Sequence, residues 1–253
     1  MKATLKKTLN RLGLDIIRYK EPSDILPPDV SEDEKAICEK VRPFTMTGPE
    51  RVIALINAAR YISANRIAPN GAVVECGVWR GGSMMAVAEA LHSLGDTGRK
   101  LYLCDTFEGM TEPTARDLQF DGKKAADLLA AEEKDTGMWC YADEADVRRN
   151  MALTGYPEDK LVFVKGRVEE TIPAGINEEI ALLRLDTDWY GSTRHELEHL
   201  YPRLVPGGVL IIDDYGHWRG SKEATDEYFA ALPGPKPLFN RIDYTGRLLI
   251  KPA

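Results

Sequence analysis

The 253-residue sequence predicts an α/β fold, in which helices cover both faces of a mostly parallel, seven-stranded sheet. Two observations support this prediction. Five short apolar runs alternate with segments of helical periodicity, which is the pattern of a parallel sheet buried on both faces. After the fifth run, residues 237–244 and 247–251 flank Thr245-Gly246, as in an antiparallel hairpin.

The segment before the sheet, residues 1–43, is predicted to be a helical arm and linker attached to a main domain of residues 44–253. Within residues 1–20, leucine and isoleucine share one helical stripe that basic residues surround. Such a helix is able to lie on a membrane surface. Because one short basic helix is weak support for membrane contact, we favour packing on its own domain or on a second subunit. We also expect a homo-oligomer.

Two more helices are predicted before the first strand. Ser31 and Glu34 have the spacing of a capping box, so a short helix is expected to start there and to run through Val41. Residues 50–67 carry apolar side chains on one helical face.

The apolar runs place the parallel strands in order along the chain. We predict strands at residues 72–74, 100–104, 161–164, 180–185 and 208–212. Helices at 192–204 and 221–232 follow the fourth and fifth strands.

The connection between the second and third strands is too long for a simple crossover. More than fifty residues separate Asp105 from Leu161, whereas connections in compact domains are usually much shorter. Residues 117–135 are predicted to be a charged helix, and residues 136–143 an irregular aromatic stretch. We interpret residues 108–156 as an inserted lid over a substrate site. A surface segment used in oligomer contacts is the alternative.

Composition excludes some classes of function. The net charge of −7 gives no broad basic face, so we expect no nucleic-acid partner. No apolar run approaches the length that spans a bilayer. Four cysteines without C-x-x-C spacing, together with no apolar leader, indicate a reduced, cytoplasmic protein.

The stretch Gly71 to Ser83, GAVVECGVWRGGS, is typical of a strand, a glycine-bearing turn and a helix. In a parallel sheet such a turn lies at the carboxyl ends of the strands, where ligands bind, and the helix start offers free N–H groups. Its glycines fit neither the G-x-G-x-x-G of dinucleotide binders nor a P-loop. The order of Glu75 and Gly77 resembles the first cofactor loop of class I S-adenosylmethionine-dependent methyltransferases. A tight turn without a ligand is the alternative.

Acidic residues follow the predicted strand ends. Asp105 ends the second strand beside the glycine turn, where a carboxylate can accept bonds from the ribose hydroxyls of NAD or of S-adenosylmethionine. The turn has no pyrophosphate cradle, which favours S-adenosylmethionine. Asp186 or Asp188, with Asp213 and Asp214, would repel one another unless a cation bound there. Oxygen ligands without histidine or cysteine favour Mg²⁺. Helix caps and turns are the alternative role for these aspartates.

Several segments together resemble the macrocin O-methyltransferase (tylosin and mycinamicin biosynthesis) family of class I methyltransferases. They are FTMTGPERV, VVECGVWRGGS, LYLCDTFEGM, KGRVEETIP, LRLDTDWYGST and PGGVLIIDDYGHWRGSKEATDEYF. They cover nearly the whole chain after the first forty residues, except the region 105–160 beyond EGM. The resemblance implies a Rossmann-like fold and a Mg²⁺-dependent transfer of methyl from S-adenosylmethionine to a hydroxyl. The acceptor would be a sugar or polyketide-type natural product, as in antibiotic biosynthesis.

The resemblance also assigns residues by motif. The cofactor would contact Thr45, Met46, Glu75, Gly77, Val78, Trp79 and Ser83, with Asp105 and Thr106 at the ribose and Asp186 nearby. The implied metal ligands are Asp188, Asp213 and Asp214. Strand-end geometry alone would instead choose Asp186 as the first ligand.

Two residues are candidates for the catalytic base, Asp188 and His217, and a loop histidine without a role is the alternative for His217. His195 and His199 have a metal-like spacing, but without a third ligand we interpret them as a solvated helix face. Four aromatic residues are candidates for an apolar acceptor wall, or for core positions: Trp189, Tyr190, Tyr215 and Trp218.

Two other functions remain open at this stage. One is an NAD-dependent oxidoreductase, because Asp105 suits either cofactor. The other is a non-catalytic, methyltransferase-like assembly partner. The retained acidic residues at the strand ends argue against the second.

Overall fold

The sheet has seven strands in the order β3-β2-β1-β4-β5-β7-β6. The structure is a computed structural model, and it describes Leu9 and residues 26–132 and 137–253. The strands are β1 (Ala72–Cys76), β2 (Leu101–Asp105), β3 (Leu161–Lys165), β4 (Ile180–Leu185), β5 (Leu204–Ile212), β6 (Asn240–Arg241) and β7 (Arg247–Ile250). Strands β1 to β5 are parallel, and β7 runs antiparallel to β5 and β6. The predicted α/β fold is confirmed.

Helices cover both faces of this sheet. They are α1 (Glu32–Val41), α2 (Pro49–Ala64), α3 (Gly82–Ser93), α4 (Ala125–Ala130), α5 (Glu144–Ala152), α6 (Val168–Thr171), α7 (Tyr190–Leu200) and α8 (Arg219–Ala231). Alternate residues of β1 point to opposite faces, so Val73 packs in one core with α1, α2 and α3, while Val74 packs in another with α7 and α8. Burial on both faces explains why the strands are apolar runs without alternation.

The first described helix belongs to the same core as the main domain. Ser31 and Glu34 form the predicted capping box, with the Ser31 N–H donating to the Glu34 carboxylate at 2.8 Å. Ile37 and Val41 of α1 are buried with residues of α2 and α3. The predicted amphipathic helix at 1–20 lies outside the described residues, apart from Leu9. Among the described helices, none is long and apolar enough to cross a membrane.

The inserted segment differs most from its prediction. Where a helix was expected over 117–135, only Ala125–Ala130 is helical, and residues 133–136 lie outside the described part. Leu118 pairs with Lys124 across a turn, and the buried Asp117 carboxylate accepts from the N–H of Thr114 at 2.6 Å. Turn-capping bonds therefore replace the helix that the charged composition had indicated.

Two other predicted elements are shorter in the structure, and each has a proline at or near its end. The helix predicted over 192–204 begins at Tyr190 and gives way to a 3-10 turn, Tyr201–Arg203, around Pro202. The strand predicted over 237–244 is limited to Asn240–Arg241, and Pro237, which has no N–H for a ladder bond, lies outside it.

Candidate active site

A cavity of about 440 Å³ opens at the carboxyl ends of β1, β2, β4 and β5. It collects residues from loops that are far apart in the sequence, as expected for ligand sites of parallel sheets. Nearly all of the predicted site residues line it: Thr45, Met46, Gly77, Val78, Trp79, Ser83, Asp105, Thr106, Asp186, Asp188, Asp213, Asp214 and His217.

The glycine turn after β1 forms one side of this cavity. Gly77 has φ +79°, and a Cβ there would overlap the carbonyl oxygen of Asp186, so only glycine fits. Trp79, at φ +45°, is also left-handed although it carries a bulky side chain. The carboxylate of Asp105 holds this turn, because its Oδ2 accepts from the N–H groups of Val78 at 2.8 Å and Trp79 at 3.2 Å.

Asp105 is engaged by backbone donors on both of its oxygens. Its Oδ1 accepts from the N–H of Phe107 at 2.8 Å. Burial raises the pKa of Asp105, and the backbone bonds oppose that rise. Asp105 therefore fixes the cofactor turn, and its contact with a ribose stays a prediction.

Glu75 does not reach the cavity, in contrast to its predicted contact with the cofactor. It is 1% exposed and pairs with Arg184, which lies opposite it on the adjacent strand β4. Its Oε2 atom is buried without a partner. Burial raises the pKa of Glu75 to about 7, although Arg184 opposes that shift. Glu75 thus acts behind the wall of the cavity, as a counter-ion of Arg184.

Three carboxylates meet at the ends of β4 and β5. One oxygen from each of Asp186, Asp213 and Asp214 lies within 4.8 Å of the others. The donor set consists of hard oxygens, and it fits a divalent cation such as Mg²⁺. This group contains Asp186, as strand-end geometry had indicated, in place of the Asp188 that the family motif implied. Burial, together with Asp186, raises the pKa of Asp214 to about 7.

Asp188 lies beside this acidic cluster, defined as Asp186, Asp213 and Asp214. Its backbone N–H donates to Oδ2 of Asp214 at 3.1 Å, and its φ of +65° places it in the left-handed region. Strained backbone of this kind is common at functional sites. Burial and the neighbouring Asp214 raise the pKa of Asp188 well above its ordinary value. Asp188 also lines the cavity, where a carboxylate is placed to accept a proton from a bound hydroxyl.

Two arginines that the sequence did not single out neutralise part of the acidic cluster. The guanidinium of Arg184 lies 2.7 Å from Oδ2 of Asp186 and 2.6 Å from Oδ1 of Asp213. It also donates to the hydroxyl of Thr47 at 2.9 Å. Arg51 forms an ion pair with the other oxygen of Asp213. The sequence contained one sign of this pairing, because Arg184 is a charge inside the apolar strand IALLRL and a buried charge needs a partner.

His217 is a half-buried wall residue whose ring nitrogens both have neighbours. Its Nε2 lies 3.0 Å from the side-chain amide of Gln119, and its Nδ1 lies 3.2 Å from the hydroxyl of Tyr244. Burial lowers the pKa of His217, and Arg51 lowers it further. Gln119 belongs to the inserted segment, which therefore contacts the site through this histidine.

Only one of the four aromatic residues proposed as an acceptor wall lines the cavity, and that residue is Trp218. The ring of Trp189 packs against it at 5.0 Å in a buried cluster. Tyr190 lies under the guanidinium of Arg116, and Tyr215 stacks on Phe239. These three positions are structural.

His195 and His199 stack on each other at 4.1 Å and contact backbone carbonyls of Ile172 and His195. Neither lines the cavity. They therefore stabilise the packing of α7.

The described parts of the inserted segment form the outer wall. Gly109, Met110, Thr111, Met138 and Cys140 line the cavity. The segment is held at both ends. The indole N–H of Trp189 donates to the carbonyl of Thr111 at 3.0 Å, and Arg80 pairs with Asp146 at 2.8 Å.

Comparison with known proteins identifies the family. Residues 5–251 match the family described as Macrocin-O-methyltransferase (TylF). The chain is 35% identical over 202 residues to an 8-demethyl-8-(2,3-dimethoxy-alpha-L-rhamnosyl)-tetracenomycin-C 4'-O-methyltransferase of Streptomyces olivaceus, covering 80% of this chain and 73% of that protein. It is 34% identical over 184 residues to a mycinamicin III 3''-O-methyltransferase of Micromonospora griseorubida, covering 73% and 69%.

A solved structure agrees with this assignment. The structure of the O-methyltransferase NovP superposes with a TM-score of 0.71 at 27% identity, covering 83% of each chain. The family match excludes the two alternatives left open by the sequence, an oxidoreductase and a non-catalytic partner. The chain belongs to the macrocin O-methyltransferase family and is an S-adenosylmethionine-dependent O-methyltransferase.

Proposed function

We propose that this enzyme methylates a hydroxyl of a glycosylated or polyketide-type natural product, in antibiotic biosynthesis, with the help of Mg²⁺. The observation that carries the proposal is one cavity that joins a cofactor turn to a cluster of three carboxylates. The names of two relatives describe O-methyltransferases of a rhamnosylated tetracenomycin and of mycinamicin III, which supports an acceptor of this class.

The cofactor side of the cavity would orient the methyl donor. The turn at Gly77 to Trp79, fixed by Asp105, borders it on one side, and Thr45 and Met46 border it on another. S-adenosylmethionine supplies an electrophilic methyl group, and a bound Mg²⁺ lowers the pKa of a coordinated hydroxyl. A donor and an acceptor held in line in this way would gain much of the rate from positioning.

Asp186, Asp213 and Asp214 would hold the cation, because their oxygens are the three that converge. Asp188 is the base that we favour, since it lines the cavity next to Asp214 and would take the hydroxyl proton as the new C–O bond forms and the C–S bond breaks. His217 would border the acceptor as part of the cavity wall and would not take its proton, because both ring nitrogens already face Gln119 and Tyr244.

The inserted segment would recognise the body of the acceptor. Met110, Met138 and Trp218 line the cavity and pack in one hydrophobic cluster. An apolar lining suits the apolar faces of a sugar or polyketide, and a small number of polar groups is enough to fix the orientation of such an acceptor. In this proposal residues 108–156 act as a lid.

Calorimetric titration and a methyl-transfer assay test the proposal together. We expect the titration with S-adenosylhomocysteine to show binding and the titration with NAD to show no heat of binding. With a panel of glycosylated macrolides and rhamnosylated polyketides, mass spectrometry should detect a gain of one methyl group, which EDTA abolishes and added Mg²⁺ restores. Binding of NAD without S-adenosylhomocysteine, or methyl transfer at full rate in EDTA, would contradict it.

A further inference from the structure

Arg51 is built into the acidic cluster by two acidic partners and a glycine. It extends from α2 and pairs with Asp213, and its Nε lies 3.0 Å from Oδ2 of Asp243 in the turn before β7. Gly246 in the same turn has no side chain where the stem of Arg51 passes. A Cβ there would lie 2.9 Å from Cδ of Arg51.

The turn around Arg51 is itself fixed. Asp243 accepts from the N–H groups of Thr245 at 2.9 Å and Gly246 at 2.6 Å. The hydroxyl of Thr245 donates to the carbonyl of Asp213 at 2.7 Å. Arg51 therefore has a preformed position beside the cluster, with its side chain only 13% exposed.

The two oxygens of Asp213 each face a different arginine. Oδ1 faces Arg184, which also pairs with Glu75 and Asp186 and is 3% exposed. Oδ2 faces Arg51. A cation that uses Asp213 must therefore compete with a guanidinium, and Arg51 is the more exposed of the two.

We propose that Arg51 is a resident counter-ion of the acidic cluster, which a divalent cation displaces from Asp213 on binding. Arg51 thereby sets the cation affinity of the enzyme. Its pair with Asp243 keeps the guanidinium beside the cavity after displacement. This inference rests on the proposed cation dependence and assigns a role to Arg51 within it.

The direction in which cation affinity changes when Arg51 is lost distinguishes this role from the alternative, in which Arg51 orients Asp213 as a ligand. A competing guanidinium weakens cation binding both by occupying an oxygen and by its positive charge. If Arg51 instead oriented Asp213 as a ligand, its loss would weaken cation binding about 10- to 100-fold. The two roles therefore predict opposite changes in affinity.

The experiment measures Mn²⁺ binding to the full chain by electron paramagnetic resonance, without any acceptor. We expect Arg51→Met to lower the Kd for Mn²⁺ about tenfold. Arg51→Lys keeps the charge without the paired donors, so its Kd should be intermediate. Arg60→Gln removes a mostly buried ion pair with Glu34 from the same helix and should leave the Kd unchanged. The rise in Tm caused by Mn²⁺ should be larger in Arg51→Met than in the wild type.

The outcomes are distinguishable. A Kd that rises or stays the same in both Arg51 variants would overturn the role of Arg51 and leave the proposed cation intact. Absence of Mn²⁺ binding in every protein would overturn the cation itself. If Arg51→Met failed to fold, as judged by circular dichroism, Arg51→Lys would decide the question alone.

Discussion

The two halves of the cavity are stabilised in different ways. On the cofactor side, the donors of the glycine turn are already paired, because Asp105 accepts from Val78, Trp79 and Phe107. On the acidic side, three carboxylates converge, and two of them, Asp186 and Asp213, pair with arginines. The cofactor half is therefore preformed by hydrogen bonds, whereas the acidic half contains charges that a ligand can rearrange. A substitution in either half should show how far cofactor binding and cation binding depend on each other.

The largest effect is expected at Gly77, where the halves touch. In Gly77→Ala the new Cβ overlaps the carbonyl of Asp186, and a left-handed alanine adds strain. The free energy of unfolding should fall by about 3 kcal/mol, and affinity for S-adenosylhomocysteine should fall more than about 100-fold, as measured by denaturation and calorimetry.

Gly95→Ala is the matched control. It has φ +70°, and a Cβ there meets no atom within 4 Å. Only the strain of about 1–2 kcal/mol should remain, with cofactor affinity unchanged. Equal losses of affinity in the two variants would show that contact with Asp186 is irrelevant to the cofactor turn.

A smaller and more selective effect is expected at Asp214. Asp214→Asn removes one of the carboxylates that we propose hold the cation and should weaken Mn²⁺ binding about 100-fold. S-adenosylhomocysteine affinity should stay within about twofold, since the cofactor turn keeps its bonds. Titration with each ligand gives both numbers.

Asp226→Asn, in the Lys222 pair on the surface of α8, controls for the loss of a negative charge. Should cofactor affinity fall as far as cation affinity in Asp214→Asn, the two halves would have to be treated as one unit.

The fold was predictable because a parallel sheet buried on both faces requires apolar strands. The turn at Gly77 was also predictable, because its left-handed backbone conformation favours glycine. The helix expected over 117–135 was wrong, because Asp117 bonds to the backbone of Thr114 and Tyr190 and composition does not reveal such turns.

The charge partners of the site were not predictable from one sequence. Glu75 faces Arg184 because β1 lies beside β4, and the apolar pattern does not contain strand order. Arg51 and Asp213 are 162 positions apart. The family motif points to Asp188 as a metal ligand, whereas the three oxygens that converge belong to Asp186, Asp213 and Asp214, so the ligand set stays a prediction. The ion-pair partners and the members of the acidic cluster depend on which residues are neighbours in the folded chain, and a single sequence does not show this.

The central claim is that the acidic cluster holds a cation beside the methyl group of the donor. Nuclear magnetic resonance of S-adenosylmethionine carrying a ¹³C-labelled methyl group, bound to the enzyme, tests it directly. We predict that Mn²⁺ strongly broadens the methyl signal, and that Asp214→Asn abolishes the broadening at the same Mn²⁺ concentration. An unbroadened methyl signal with both ligands bound would contradict the account.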